Sequence, residues 1–210
     1  MMRRLQRPAD LRGGLARGMT RLGIAVSALV TITTAFPSPV NGQDMPVPVS
    51  IQIPLLTKIL AFDRTFSERV GEDFVIAIVY QSGFRASVLA RNQVAEAADK
   101  IAFGGAGQIP VRYVFVDVDQ SRSWRWRLAN SAADVIYVAP LRAFDLSLIT
   151  TASRSLDMIT YTGVPGYVAS GVAVGLDLFA NRPKIVVNLA ASYEEGCDFT
   201  SELLKLARIE

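Results

Sequence analysis

Two aspartates, Asp117 and Asp119, close a β-rich run. A pair of carboxylates at the carboxyl edge of a parallel sheet sits where α/β proteins bind ligands and run acid–base chemistry. Taken as alternating strand positions, the two point to opposite faces, and an Asp at a strand end serves more often as a turn former or a cap for the next helix. Glu194, Glu195 and Asp198 surround Cys197. Their spacing matches no calcium loop, so they are expected to be solvated acids at a helix end, with Cys197 a small, partly buried residue. Gly104-Gly105-Ala106-Gly107 looks like a phosphate loop but follows a helix and precedes a strand, the reverse of a dinucleotide fingerprint. The segment 121–127, SRSWRWR, interleaves three Arg with two Trp. Trp124 and Leu128, at i and i+4, are expected to face a sheet, with the arginines solvated. Trp and Arg are enriched where proteins bind one another, so Trp124, Arg125 and Trp126 are candidate partner contacts.

Composition removes whole classes of chemistry. The 210 residues contain no His and one Cys, which excludes a Ser-His-Asp triad, a Cys-His pair, a His-based metal site and an intramolecular disulfide. No nucleophile, base and oxyanion site assemble from what is left, and no cofactor, metal or catalytic residue is expected. The net charge of +3 belongs to the start of the chain. Arg3, Arg4, Arg7, Arg12, Arg17 and Arg21 stand there against Asp10, followed by the uncharged run LGIAVSALVTITTAF at 22–36. That run is shorter than the roughly 20 residues a membrane span needs, and it breaks at Pro37 and Pro39. Residues 1–42 are therefore expected to be a signal peptide cleaved after Gly42, directing general secretory export. The remainder keeps 16 basic and 18 acidic residues. A nucleic-acid partner is not expected.

The elements that must position these residues follow from periodicity. Residues 43–54 contain three prolines and are expected to form an extended lead-in, ahead of a single domain at 55–210 that opens with a short amphipathic helix running to about Arg64. The β-branched and aromatic runs 74–80, 111–118, 134–140 and 156–163 predict strands. Helices are expected between them at about 85–103, stopping at Gly104-Gly105, and at about 122–130 and 144–153. This order predicts an α/β fold with a mainly parallel central sheet flanked by helices. The runs 171–180 and 183–190, joined by Asn181-Arg182, predict a C-terminal antiparallel hairpin, and 199–209 a closing helix capped by Thr200 or Ser201.

The C-terminal run VAVGLDLFANRPKIVVNLAASYEEGCDFTSELLKLARI, preceded by Thr162-Gly163 and Gly166-Tyr167, resembles the YfiR family. Asn188, Ala190, Ala191, Gly196, Ser201, Leu203, Leu204, Leu206 and Ala207 stand at matching positions. The resemblance extends more loosely over about 50–209. It implies a small periplasmic α/β protein without catalytic activity that binds the periplasmic sensor region of an inner-membrane diguanylate cyclase or related signalling protein. Restraint of that partner would lower cyclic di-GMP and biofilm formation. The chain departs from redox-sensitive members in having one Cys, and its opening helix is less aromatic. Candidate contacts are the Trp124/Arg125/Trp126 segment and the hairpin edge at Asn181 and Arg182; a second copy of the chain is a further candidate partner. Asn188 and Gly196 are expected to be structural, one satisfying backbone groups at a strand end and the other taking a left-handed turn. The competing reading is a periplasmic small-ligand module with its pocket near Gln81, Ser82 and Asp117.

Overall fold

Residues 45–104, 109–120 and 123–210 are described by a computed structural model. The expected export segment, the glycines at 105 and 107, and residues 121 and 122 lie outside them. Helix α1 spans Val49–Leu60 and contains Pro54, which corrects the expectation of an extended arm as far as residue 54. A proline inside a helix costs about 3 kcal/mol. The burial of Val49, Ile53, Leu56, Ile59 and Leu60 along one stripe offsets it.

After the single-turn helix α2 (Phe66–Arg69), strand β1 (Phe74–Tyr80) enters the core with both faces covered. Helix α3 (Arg85–Ala98) is shorter than the predicted 85–103 and does not end on the glycines. Instead the chain turns so that strand β2 (Ala102–Phe103) pairs antiparallel with strand β3 (Ile109–Asp117). This places the Phe103 ring 4.9 Å from that of Phe74 and 5.3 Å from that of Phe66. A continued helix could not deliver that ring into the core.

The chain then runs through α4 (Trp124–Ala129), β4 (Val135–Val138), α5 (Ser147–Ser155), β5 (Ile159–Thr162), α6 (Pro165–Ala169), β6 (Val174–Phe179), β7 (Arg182–Val187), α7 (Leu189–Glu194), α8 (Ser201–Leu206) and β8 (Arg208–Ile209). The eight strands lie in the order β2-β3-β1-β4-β5-β6-β7-β8. All pairs from β3 to β6 are parallel, and β6 and β7 form the predicted antiparallel hairpin. The fold is thus the α/β class read from the sequence. The hairpin turn is Ala180-Asn181, one residue earlier than expected, with φ of 48° and 59°. That pair of left-handed residues suits the twist of a two-residue hairpin. Helices α1, α3, α7 and α8 cover the face carrying Phe74, Ile76 and Ile78, while α4 and α5 cover the face carrying Val75, Ala77 and Val79. No described helix is long and apolar enough to cross a membrane.

Two polar links tie the start of the described chain to segments distant in sequence. Gln52 of α1 is fully buried; its Nε2 donates to the Val47 carbonyl, and its Oε1 accepts from the Tyr137 hydroxyl at 2.7 Å. Farther along, Thr200 N donates to Phe62 O, Arg64 N donates to Asp198 O, and Asp63 forms an antiparallel bridge with Phe199. The Asp63 carboxylate is buried and accepts from Asp198 N, Thr65 N and Arg69 Nη2.

Candidate functional site

The aspartates at the carboxyl edge of the sheet do not point apart. Residues two apart on a strand share a face, and both carboxylates turn onto the loop after β1. Asp117 Oδ1 accepts from Ser82 N at 3.1 Å, while Asp119 Oδ2 accepts from Gly83 N at 2.6 Å and its Oδ1 from Gln81 Nε2 at 3.1 Å. Gln81 Oε1 in turn accepts from Arg142 N. The groups that would greet a ligand near Gln81, Ser82 and Asp117 bond to one another, so this constellation holds the β1–α3 loop in place.

On α4 the Trp and Arg residues divide as a helix requires. Trp124 is 4% exposed and packs with Leu128 on the sheet, its ring edge-on to Phe144. Its face is therefore turned away from any partner, and Arg125 lies over it at 5.3 Å. Trp126 is 68% exposed and lines a groove of about 330 Å³ with Val114, Phe115, Val116 and Arg127. Replacing Trp126 with Ala is expected to shift stability by less than about 0.5 kcal/mol, because the ring buries little. Thermal melting checks this; a drop of several degrees would mean that the ring supports the fold.

Asn181 and Arg182 stand at the other end of the sheet, with β1, β4 and β5 between β3 and the hairpin. The structure does not bring the two candidate clusters together. Around the hairpin tip, Phe179 is 71% exposed and Leu206 59%, and both line a groove of about 570 Å³ with Arg182, Pro183, Lys184 and Ile185. Leu178 and Ile209 are also exposed nearby on the hairpin and on β8. A cluster of large apolar side chains left in water and rimmed by Arg and Lys is the usual look of a protein-binding surface. Phe179 and Leu206 were missed in the sequence because alternation alone reads them as ordinary strand and helix positions.

Beneath α7 lies an acid that sequence reasoning placed in solvent. Glu195 is fully buried, and Thr160 N donates to its Oε2 at 2.6 Å. The Thr160 hydroxyl lies 2.8 Å from Oε1, and Ser153 Oγ lies 2.7 Å from it. Burial outweighs these bonds and pushes the carboxyl up to about 7. The geometry suits the neutral acid. Ser153 Oγ also lies 2.8 Å from the Thr150 carbonyl, which can only accept. With the single serine proton directed there, the carboxyl donates its own proton to Ser153. Cys197, buried two residues on, is a free thiol raised by the same desolvation and by the charges of Asp63 and Glu195, so it is a poor nucleophile. Gly196 between them takes a φ of +78°, and Asn188 caps α7 by accepting from Ala191 N, the structural roles expected of both. Among the described residues, no three His, Cys, Asp or Glu side chains converge to hold a metal ion.

The YfiR/HmsC-like family model matches residues 51–208. No curated protein matches the sequence. Among solved structures, the chain is similar to the ABC domain from Streptococcus pneumonia, described in complex with L-Trp, with a TM-score of 0.57 and 13% identity. That match covers 78% of this chain and 62% of the other. It is similar also to a conserved domain protein from Vibrio cholerae O1 biovar eltor, with a TM-score of 0.56, 17% identity, and coverage of 77% and 60%. The chain spans about three-fifths of the length of each, and at these identities the likeness is one of fold.

Proposed function

Because the chain belongs to the YfiR/HmsC-like family, we propose that it is an exported, non-enzymatic regulator. On this reading it works in the periplasm, where it binds the sensor region of an inner-membrane signalling protein. The restrained partner is a diguanylate cyclase or a related protein, so the output is cyclic di-GMP and biofilm formation. Family membership carries the reading. The depressed acidity of the one thiol and the internally bonded aspartates support a binding rather than a catalytic role.

Restraint of this kind requires that the regulator bind one state of its partner more tightly than the other. To move a partner from almost wholly active to almost wholly restrained takes a difference of about 5.5 kcal/mol. A few buried aromatic and aliphatic anchors supply energies of that size. The hairpin end offers Phe179 and Leu206 as anchors, with Asn181 and Arg182 at their rim.

Phe179→Asp is the direct test. The side chain is largely in water, so the melting temperature is expected to hold, while crosslinked recovery of the membrane partner falls at least tenfold and intracellular cyclic di-GMP rises toward the level of a deletion strain. A deletion strain with unchanged cyclic di-GMP and no crosslinked membrane protein would overturn the regulatory reading. Full recovery of the partner by Phe179→Asp would move the contact elsewhere.

A further inference from the structure

Among the described residues, the outer edge of β3 is open along most of its length. β2 pairs only with Ile109 and Pro110, and no other described strand lies beyond β3. Val118 donates its N–H to Tyr80 O of β1, so by alternation the even-numbered positions of β3 face β1 and the odd-numbered ones turn outward. The N–H and C=O groups of Val111, Tyr113 and Phe115 therefore line a free ladder edge. Natural proteins blunt such edges with charge or proline, or use them to bind another strand.

The edge is flanked on both faces by side chains suited to binding. Arg91 lies 4.5 Å from the Tyr80 ring centroid and 5.0 Å from that of Phe115, which is 41% exposed. Across the strand, Trp126 and Arg127 line the groove that Val114, Phe115 and Val116 complete. Among the described residues no carboxylate pairs with Arg91 or Arg127; Arg112, on the strand itself, is held by Asp73. We propose that this edge is a strand-addition site for an extended, acidic segment of a partner protein. Backbone pairing with Tyr113 and Phe115 would supply affinity, and carboxylates on adjacent residues, which point to opposite faces of a strand, would meet Arg91 on one face and Arg127 on the other. A second copy of the chain is the wrong occupant on charge, because edge-to-edge pairing would set the same arginines of two copies against each other. The assignment deepens the reading of the chain as a partner-binding regulator, and rests on it for the existence of that partner.

A fluorescein-labelled ten-residue peptide repeating Glu-Glu-Val-Val, which as a strand shows Glu on both faces, is titrated with the protein and followed by anisotropy to test the edge. Three comparisons accompany it: the same peptide with Lys for Glu, the Glu peptide N-methylated at alternate residues, and the Arg127→Glu and Arg91→Glu variants. The expected result is saturable binding of the Glu peptide, at least tenfold weaker with Lys, abolished by N-methylation, and at least fivefold weaker for each variant at an unchanged melting temperature. N-methylation blocks pairing without altering the protein, so a folding failure cannot mimic the result. Equal binding of the methylated peptide would reduce the site to simple charge attraction and overturn the proposal, as would absent binding or indifference to Lys. Concentration-dependent dimerisation that excludes the Glu peptide would assign the edge to a second copy instead. Failure of the peptide with the membrane partner still recovered by crosslinking removes the edge alone; loss of the membrane partner with peptide binding intact removes the regulatory reading alone.

Discussion

Raising the pH from 4 to 8 is expected to destabilise the protein, with the loss falling between about pH 4.5 and 7. Glu195 is the cause: its carboxyl is raised to about 7 in the folded chain, whereas in the unfolded chain it titrates near 4.5. Between those values the folded form holds a proton that the unfolded form has released. The contribution is complete below the unfolded value and is lost as the pH rises through the folded one. The separation corresponds to on the order of 3 kcal/mol. Asp134, also raised by burial, acts in the same direction. The sequence has no His, so no imidazole titrates in this window. Thermal melts across the range check the slope. Glu195→Gln keeps an amide donor for Ser153 and an acceptor for Thr160, and should flatten the profile between about pH 4.5 and 7. Glu195→Ala leaves Thr160 N buried without a partner and should cost about 3 kcal/mol at pH 5. A profile for Glu195→Gln that still falls between about pH 4.5 and 7 would show that another group carries it.

Gly163→Ala should be nearly as damaging, although it adds one methyl group. A Cβ at this position would come within 2.6 Å of Gln52 Cδ and would overlap both terminal atoms of that side chain. Gln52 has nowhere to retreat, because it is fully buried with its amide engaged by Val47 and Tyr137. Displacing it strands the Val47 carbonyl and the Tyr137 hydroxyl away from water, at a cost of about 2 to 4 kcal/mol. For a chain of this size that lowers the melting temperature by roughly 10 °C. A double-mutant cycle isolates the cause: in a Gln52→Ala background, where the obstruction is gone, Gly163→Ala should add less than about 0.5 kcal/mol. Full additivity of the two would show that Gly163 matters for another reason.

The long elements were legible in the sequence because their patterns are dictated by burial. FVIAIVY is apolar throughout because both faces of β1 are covered, and its ends at Phe74 and Tyr80 coincide with the strand. Four of the short elements were not. α6 and α7 have five and six residues, too few for a helical period to show, and β2 and β8 have two each. Pro54 concealed the first turns of α1, since a local rule against proline was outweighed by packing that only the fold reveals. The candidate contacts divided on the same ground. The i, i+4 relation of Trp124 and Leu128 foretold which ring would be covered, and Asn181 fell in the hairpin turn, one residue from its expected place. Glu195 was misread because its partners Ser153 and Thr160 lie 42 and 35 residues away in sequence. Only the neighbouring Gly196, marking a reversal of the chain, hinted that this acid turns inward.

The stitching of residues 62–64 to residues 198–200 has a consequence for the life of the chain before it is folded. These bonds close a loop of about 135 residues, and Asp63 finds its partner at Asp198 only once that residue has been synthesised. The bonds at residues 62–64 are therefore among the last to form as the chain is made. Earlier, until residues 111–117 and 135–138 have emerged, FVIAIVY lacks both of its sheet neighbours and is prone to pair with other chains.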